Sequence, residues 1–199
     1  MRTPTSTLGA LFVMTAVAAA TLSGPTAAAP PQAGPSAPAD RIARGEYLVR
    51  IMSCHDCHTP HKPAPGGGIE PDMTRALSGH PQDMKMPPLP KLPEGPWIGV
   101  LGATMTSWGG PWGVSFTANL TPDKETGLGT WTEEMFIATI KSGRHQGKGR
   151  PILPPMTGVL NAVRSLTDED LRAVFAYLQS INPVRNKVPE PIDPAEEER

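Results

Sequence analysis

Apolar residues recur at helical spacing in three stretches of the chain, residues 41–52, 131–142 and 167–180. The third stretch has the clearest pattern, because its apolar positions follow the i, i+3, i+4, i+7 spacing of an amphipathic helix. Thr132 and Thr167 stand where the last two helices would begin, and threonine is a favourable N-cap residue. No stretch alternates apolar and polar residues for long enough to predict a strand. We therefore expect an all-α fold.

Proline and glycine interrupt this pattern between the first and second predicted helices. Residues 59–118 contain 11 prolines and 10 glycines, which precludes long regular elements. Three of the four tryptophans also lie there, whereas disordered segments are usually poor in aromatic residues. We therefore expect residues 62–112 to form an expanded, loop-rich and ordered region that packs on something apolar.

The first 29 residues have the pattern of a secretory signal peptide. Arg2 precedes an apolar run at residues 8–20, and the alanines at 27–29 provide a cleavage region. The run has 13 residues, whereas a helix needs roughly 20 to span a bilayer. This favours a cleaved signal peptide at residues 1–29 and a periplasmic protein over the alternative of an uncleaved membrane anchor.

The rest of the chain divides by composition into three parts. Residues 30–40 are rich in proline and alanine and read as a linker. Residues 183–199 contain several prolines and end in a run of glutamates, which predicts an acidic, solvated tail. The folded body is therefore expected at residues 41–182, which is the length of one domain.

Composition excludes several classes of protein. The net charge of −1 argues against a general nucleic-acid binder. The two cysteines lie only three positions apart, at Cys54 and Cys57. A disulfide between them would close only a small loop, so the fold is not one stabilised by disulfides. The chain also has few aromatic residues, with four Trp, two Tyr and four Phe. A loop-rich chain of this kind needs another source of apolar core.

The two cysteines belong to a C-x-x-C-H motif that ends at His58. This motif is the attachment signal for c-type haem: the two thiols add to the two vinyl groups of one haem, and the adjacent histidine becomes an axial iron ligand. A redox-active dithiol has the same spacing, but it requires a βαβ pattern that the sequence lacks. A zinc site could use the cysteines with two of His55, His58 and His61, although structural zinc sites usually bring a second ligand pair from further along.

Met156 is the candidate for the second axial ligand. It follows Pro154 and Pro155, and a proline-stiffened segment can hold a thioether against iron at low entropic cost. A methionine ligand raises the haem potential. The alternative is that Met156 only fills a gap in the core.

With these residues in place, the chain resembles the class I single-haem c-type cytochromes. The haem motif after a short helix, the Pro-Pro-Met loop and the closing helix carry the resemblance. Residues 118–131, A-N-L-T-P-D continuing to T-G-L-G-T-W, are similar to bacterial cytochrome c domains found as haem subunits of membrane-bound dehydrogenases. The resemblance also implies that Asn119 and Trp131 contact the haem, although core packing would explain Trp131 equally well.

The resemblance implies a helical fold around one covalent haem c. Cys54 and Cys57 would form the thioether links, His58 would be the proximal iron ligand and Met156 the distal one. One departure is that 98 positions separate His58 from Met156, more than in compact members. The intervening region therefore offers alternative distal ligands, namely Met84, Met86 and Met105.

The function that we expect is one-electron transfer between redox partner proteins outside the cytoplasmic membrane, without enzymatic activity. The partners would be a dehydrogenase, an oxidase or another cytochrome. The alternatives are a haem enzyme or gas sensor with an open sixth site, and a fixed subunit of a dehydrogenase or oxidase complex. Four basic residues without an intervening acid either steer a partner, balance the charge of the haem propionates, or form a solvated turn. They are Lys141, Arg144, Lys148 and Arg150.

Overall fold

The computed structural model describes residues 37–91 and 95–194, which contain five α-helices and five short strands. The helices are α1 Pro38–Ile51, α2 Cys54–His58, α3 Glu133–Ser142, α4 Met156–Val163 and α5 Asp168–Ser180. The strands are β1 His61–Pro63, β2 Ile69–Pro71, β3 Val100–Leu101, β4 Ser107–Gly110 and β5 Gly113–Phe116. The predicted signal peptide and the glutamate run at 196–198 lie outside the described residues. Within those ranges, no helix combines the length and apolar character needed to cross a membrane.

The three helices predicted from apolar spacing are present as α1, α3 and α5. The hydroxyl of Thr132 accepts the Met135 N–H at the start of α3, and that of Thr167 accepts the Asp170 N–H at the start of α5. Helix α1 begins at Pro38, inside the predicted linker, because proline is tolerated in the first turn of a helix. Helix α4 was not predicted.

The expectation of an all-α fold is wrong, because the chain also forms two antiparallel sheets. Strands β1 and β2 make a two-stranded sheet, and β3, β4 and β5 make a three-stranded sheet in that order. Each strand has only two to four residues, and β4 with β5 reads S-W-G-G and G-V-S-F. Such short strands are below the length at which alternation is detectable, and their glycines disguise the pattern further. The region 62–112 therefore contains strands as well as loops.

The hydrophobic core lies between α1, α3, α4 and α5. Helices α1 and α5 cross closely at Gly45, where a Cβ atom would collide with the carbonyl of Ala173. Phe136 of α3 packs on Phe175 of α5 with their ring centroids 5.4 Å apart. The crossing also carries the surface ion pair between Arg44 and Asp170, at 2.9 Å.

The chain after α5 packs against the domain rather than leaving it. Asn186 is fully buried and donates hydrogen bonds to the carbonyls of Ser78 and His80, at 2.7 and 2.8 Å. Ile192 pairs with Val114 through two backbone hydrogen bonds of 2.9 Å, which places it beside β5. We call residues 183–192 the C-terminal strap. The described part of the predicted tail thus contributes to the fold.

The helix crossing predicts that Gly45→Ala destabilises the protein by about 1–3 kcal/mol, because the added methyl group forces α1 and α5 apart. Gly66→Ala is the matched control, since a Cβ atom there meets nothing within 4 Å. The free energy of unfolding from guanidinium denaturation measures both effects. Equal stability of the two variants would contradict the close crossing.

Candidate haem site

Helix α2 presents the cysteine motif immediately after α1. Ser53 separates the two helices with a left-handed conformation, φ +54°, so the chain turns sharply before Cys54. Cys54 and Cys57 are three positions apart on this single turn, which puts both thiols on one side of the helix. His58 is the last residue of α2. The arrangement offers two thiols and one imidazole from five consecutive residues.

The environment of the two thiols argues against a redox-active dithiol. Burial raises the pKa of Cys54 to about 11, and it also raises the pKa of Cys57. Reactive dithiols instead have lowered thiol pKa values, because the thiolate is the nucleophile. Cys54 packs against the hydrophobic core. The two thiols therefore lie in surroundings that disfavour the reactive thiolate form.

His58 is fixed in one ring orientation by the segment that follows β5. Its Nδ1–H donates to the carbonyl oxygen of Ala118 at 2.8 Å, since a carbonyl can only accept. The other ring nitrogen, Nε2, therefore carries the lone pair. Burial lowers the pKa of His58, so the ring is neutral at neutral pH. A neutral imidazole held through Nδ1 is the usual form of a histidine metal ligand.

Asn119 anchors the segment that supplies this acceptor. Its Nδ2 donates to the carbonyl of Val184 at 2.8 Å, and its Oδ1 accepts from the backbone N–H of Thr121 at 3.0 Å and from the Thr121 hydroxyl. Asn119 is almost fully buried. Its side chain thus faces the C-terminal strap, whereas the resemblance implied a haem contact.

Two of the other histidines, His55 and His80, have hydrogen-bond partners of their own, whereas the buried Nδ1 of His61 has none among the described residues. His55 Nδ1 lies 2.9 Å from the Thr59 hydroxyl. His80 is fully buried, with its ring nitrogens 3.0 Å from the Thr106 hydroxyl and 3.0 Å from the Met84 carbonyl. Among the residues that the structure describes, no group of three or more His, Cys, Asp or Glu side chains is arranged to hold a metal ion.

Met156 is the first residue of α4 and packs, partly buried, against the same core as Cys54. The alternative methionines lie in the expanded region. The Thr104 hydroxyl lies 3.8 Å from the sulfur of Met84, and the Ser107 hydroxyl donates to that of Met86 at 3.5 Å. Met105 adopts a left-handed conformation between β3 and β4. Only Met156 of these four borders the core that Cys54 also touches.

Three of the four basic residues between positions 141 and 150 form hydrogen bonds or ion pairs within the chain. Lys141 donates to the carbonyls of Arg164 and Leu166, and Arg144 donates to the carbonyl of Gly149. Arg150 forms an ion pair of 3.5 Å with Glu190 in the strap. Lys148 is exposed. These contacts favour a structural role over partner steering for three of the four basic residues.

Trp131 lies beside this basic turn. Its ring packs edge-on against the ring of His145, with centroids 5.3 Å apart, and it also contacts the core. Core packing therefore accounts for its position.

Comparison with known proteins adds independent information. The chain is 29% identical over 152 residues to the cytochrome c subunit of alcohol dehydrogenase (quinone) from Gluconobacter oxydans, covering 75% of this chain and 24% of the relative. It is 26% identical over 144 residues to the gluconate 2-dehydrogenase cytochrome c subunit of Pantoea cypripedii, covering 72% and 24%. It is 27% identical over 144 residues to the fructose dehydrogenase cytochrome subunit of Gluconobacter japonicus, covering 72% and 22%.

The chain is similar to cytochrome c subunits of bacterial dehydrogenases. The resemblance drawn from the haem motif and residues 118–131 is therefore confirmed. The chain spans about a quarter of the length of these cytochrome c subunits. No protein-family model matches it.

Sequence reasoning missed the acceptor of His58, because the Ala118 carbonyl is a backbone group with no signature in the sequence. The only available signal was the neighbouring Asn119, whose residue type often fixes local backbone conformation. The contact depends on a residue 60 positions away from the histidine.

This anchoring predicts that Asn119→Ala destabilises the haem-loaded protein by about 2–4 kcal/mol, because the buried Thr121 N–H loses its acceptor and the link from residue 119 to the strap is removed. Asn182→Ala is the matched control, since Asn182 is exposed in the same strap-proximal segment. Guanidinium denaturation followed by far-ultraviolet circular dichroism gives both values. An Asn119→Ala variant as stable as the control would show that this side chain does not anchor the segment.

Proposed function

We propose that this chain binds one haem c covalently and transfers single electrons between redox partner proteins. The observation that carries the proposal is the C-x-x-C-H motif on α2, with His58 held through Nδ1 by the Ala118 carbonyl. The sequence contains one such motif, which supports one haem in this chain. The similarity to cytochrome c subunits supports the same cofactor.

The proposed roles follow from the chemistry of each side chain. Cys54 and Cys57 form the thioether links, His58 is the proximal ligand through Nε2, and Met156 is the distal ligand. The choice of Met156 is supported by its packing against the core, while the sulfurs of Met84 and Met86 lie next to the hydroxyl groups of Thr104 and Ser107. When bound, haem supplies one-electron chemistry between its ferric and ferrous states.

The indole N–H of Trp108 also supports a bound haem, because haem carries carboxylate groups that can accept a hydrogen bond. This Nε1–H is buried and has no acceptor among the described residues. Trp108 pairs directly with Ser115 across β4 and β5, so the two side chains share one face of the sheet. Ser115 on that face touches the loop that leads to Met156. A haem carboxylate is the kind of acceptor that would satisfy the buried donor.

A carrier role is favoured over a haem enzyme or gas sensor, because two protein ligands leave no open iron position for a substrate or gas. The named complexes of the relatives favour a dehydrogenase as one redox partner, with this chain as a free carrier or a fixed subunit. The signal-like N-terminus supports a periplasmic location.

The proposal predicts that the exported protein keeps its haem after denaturation in acid, because thioether bonds survive unfolding. In the oxidised protein, Met156→Ala should abolish the far-red absorption band that arises from sulfur bound to iron, and it should lower the reduction potential. Absorption spectra and a potentiometric titration measure both effects. Met73→Ala is the matched control, because Met73 is 61% exposed.

Three results would contradict parts of this assignment. A protein that contains zinc and lacks haem would refute the cytochrome assignment. A far-red band that survives in Met156→Ala would transfer the distal role to another methionine. Rapid carbon monoxide binding by the reduced wild type would favour an enzyme or sensor with an open sixth site.

A further inference from the structure

The loop that leads to Met156 has little capacity to hold itself in place. Pro154 and Pro155 have no backbone N–H, so neither can donate a hydrogen bond. The loop is tied at its start by the Ile152 N–H, which donates to the Gly143 carbonyl at 2.9 Å. Beyond this tie and helix α4, whose Gly158 N–H donates to the Pro155 carbonyl, the position of the loop depends on contacts from outside it.

Ser115 of β5 provides such a contact. Its side chain is 7% exposed, and its hydroxyl donates to the carbonyl of Pro154, two residues before Met156. Among the described residues, the other acceptor near this hydroxyl is the Trp108 carbonyl at 3.4 Å, which is the longer contact. Because a hydroxyl has one proton, it goes to Pro154.

Strand β5 is itself held on both edges. On one side Trp108 of β4 pairs with Ser115, and on the other Ile192 of the strap pairs with Val114. The strap is also tied to the approach of the loop by the ion pair between Arg150 and Glu190. The hydrogen bond of Ser115 therefore attaches the loop to a strand that is itself held in place on both edges.

We propose that Ser115 is a positioning residue, whose hydroxyl fixes the Pro154 carbonyl and so holds the Met156 thioether at the iron. This inference rests on the proposed role of Met156 as distal ligand. Ser115 acts through the loop, by shifting the balance between bound and released thioether, and not by binding the iron itself.

The test compares Ser115→Ala with Ser107→Ala in the oxidised, haem-loaded full chain. Ser107 is the matched control, because it is a buried serine of the same sheet whose hydroxyl contacts the Met86 sulfur. Added imidazole competes with the thioether for the iron. Ser115→Ala should bind imidazole roughly threefold to tenfold more tightly than the wild type, the range expected for one lost hydrogen bond.

A second readout separates positioning from a general loss of stability. The far-red band of Ser115→Ala should disappear at a lower pH than that of the wild type when the protein is titrated with alkali, because the released thioether is replaced more readily. Ser115→Thr keeps a hydroxyl, so its imidazole affinity and pH midpoint should equal those of the wild type. The threonine variant also provides a test if the alanine variant does not fold. Ser107→Ala should remain within about twofold of the wild type in imidazole affinity.

The outcomes distinguish the two proposals. If Ser115→Ala and Ser107→Ala have equal imidazole affinities and equal pH midpoints, while Met156→Ala has lost the band, the role of Ser115 is refuted and that of Met156 stands. If Met156→Ala keeps the band, both proposals fail. A Ser115→Thr variant that behaves like the alanine variant would also refute a role for the hydroxyl.

Discussion

The hydrogen bond from His58 to the Ala118 carbonyl is the interaction on which the rest of the site depends. It fixes the ring orientation and leaves the lone pair on Nε2, the form suited to a metal ligand. The backbone around it is equally constrained, because the Gly79 N–H donates to the His58 carbonyl at 2.8 Å and the Leu120 N–H donates to the Leu77 carbonyl at 2.8 Å. His58 is thus held by the expanded region on one side and by the segment that follows β5 on the other.

The C-terminal strap connects these constraints into one network. Asn119, next to the acceptor of His58, binds the strap at Val184, and Asn186 of the strap binds back to Ser78 and His80 in the expanded region. Buried amides of this kind are stabilising only when all their groups are paired. The polar contacts of the strap therefore support the segments that surround His58. Its pairing with β5 supports the strand that contacts the loop before Met156.

The sequence predicted the parts of the molecule that follow local rules. Apolar spacing located α1, α3 and α5, and threonine caps marked the beginnings of α3 and α5. The strands were not predicted, because they are stabilised by pairing with distant residues, such as Val114 with Ile192, and not by their own sequence pattern. The same reason hid the acceptor of His58 and the contact of Ser115, since both join residues that are far apart along the chain.

Strand β5 has a physical role at this site if Met156 is the distal ligand. A loop with two consecutive prolines is stiff, which limits the entropy lost when it is ordered, but stiffness alone does not determine where the loop lies. Its position must be set by neighbours, and β5 reaches it through the Pro154 carbonyl. A haem site with a firmly held sixth ligand suits electron transfer, because reorganisation between oxidation states stays small. The sheet and the strap would then be the elements that make this chain a carrier rather than a site open to substrates.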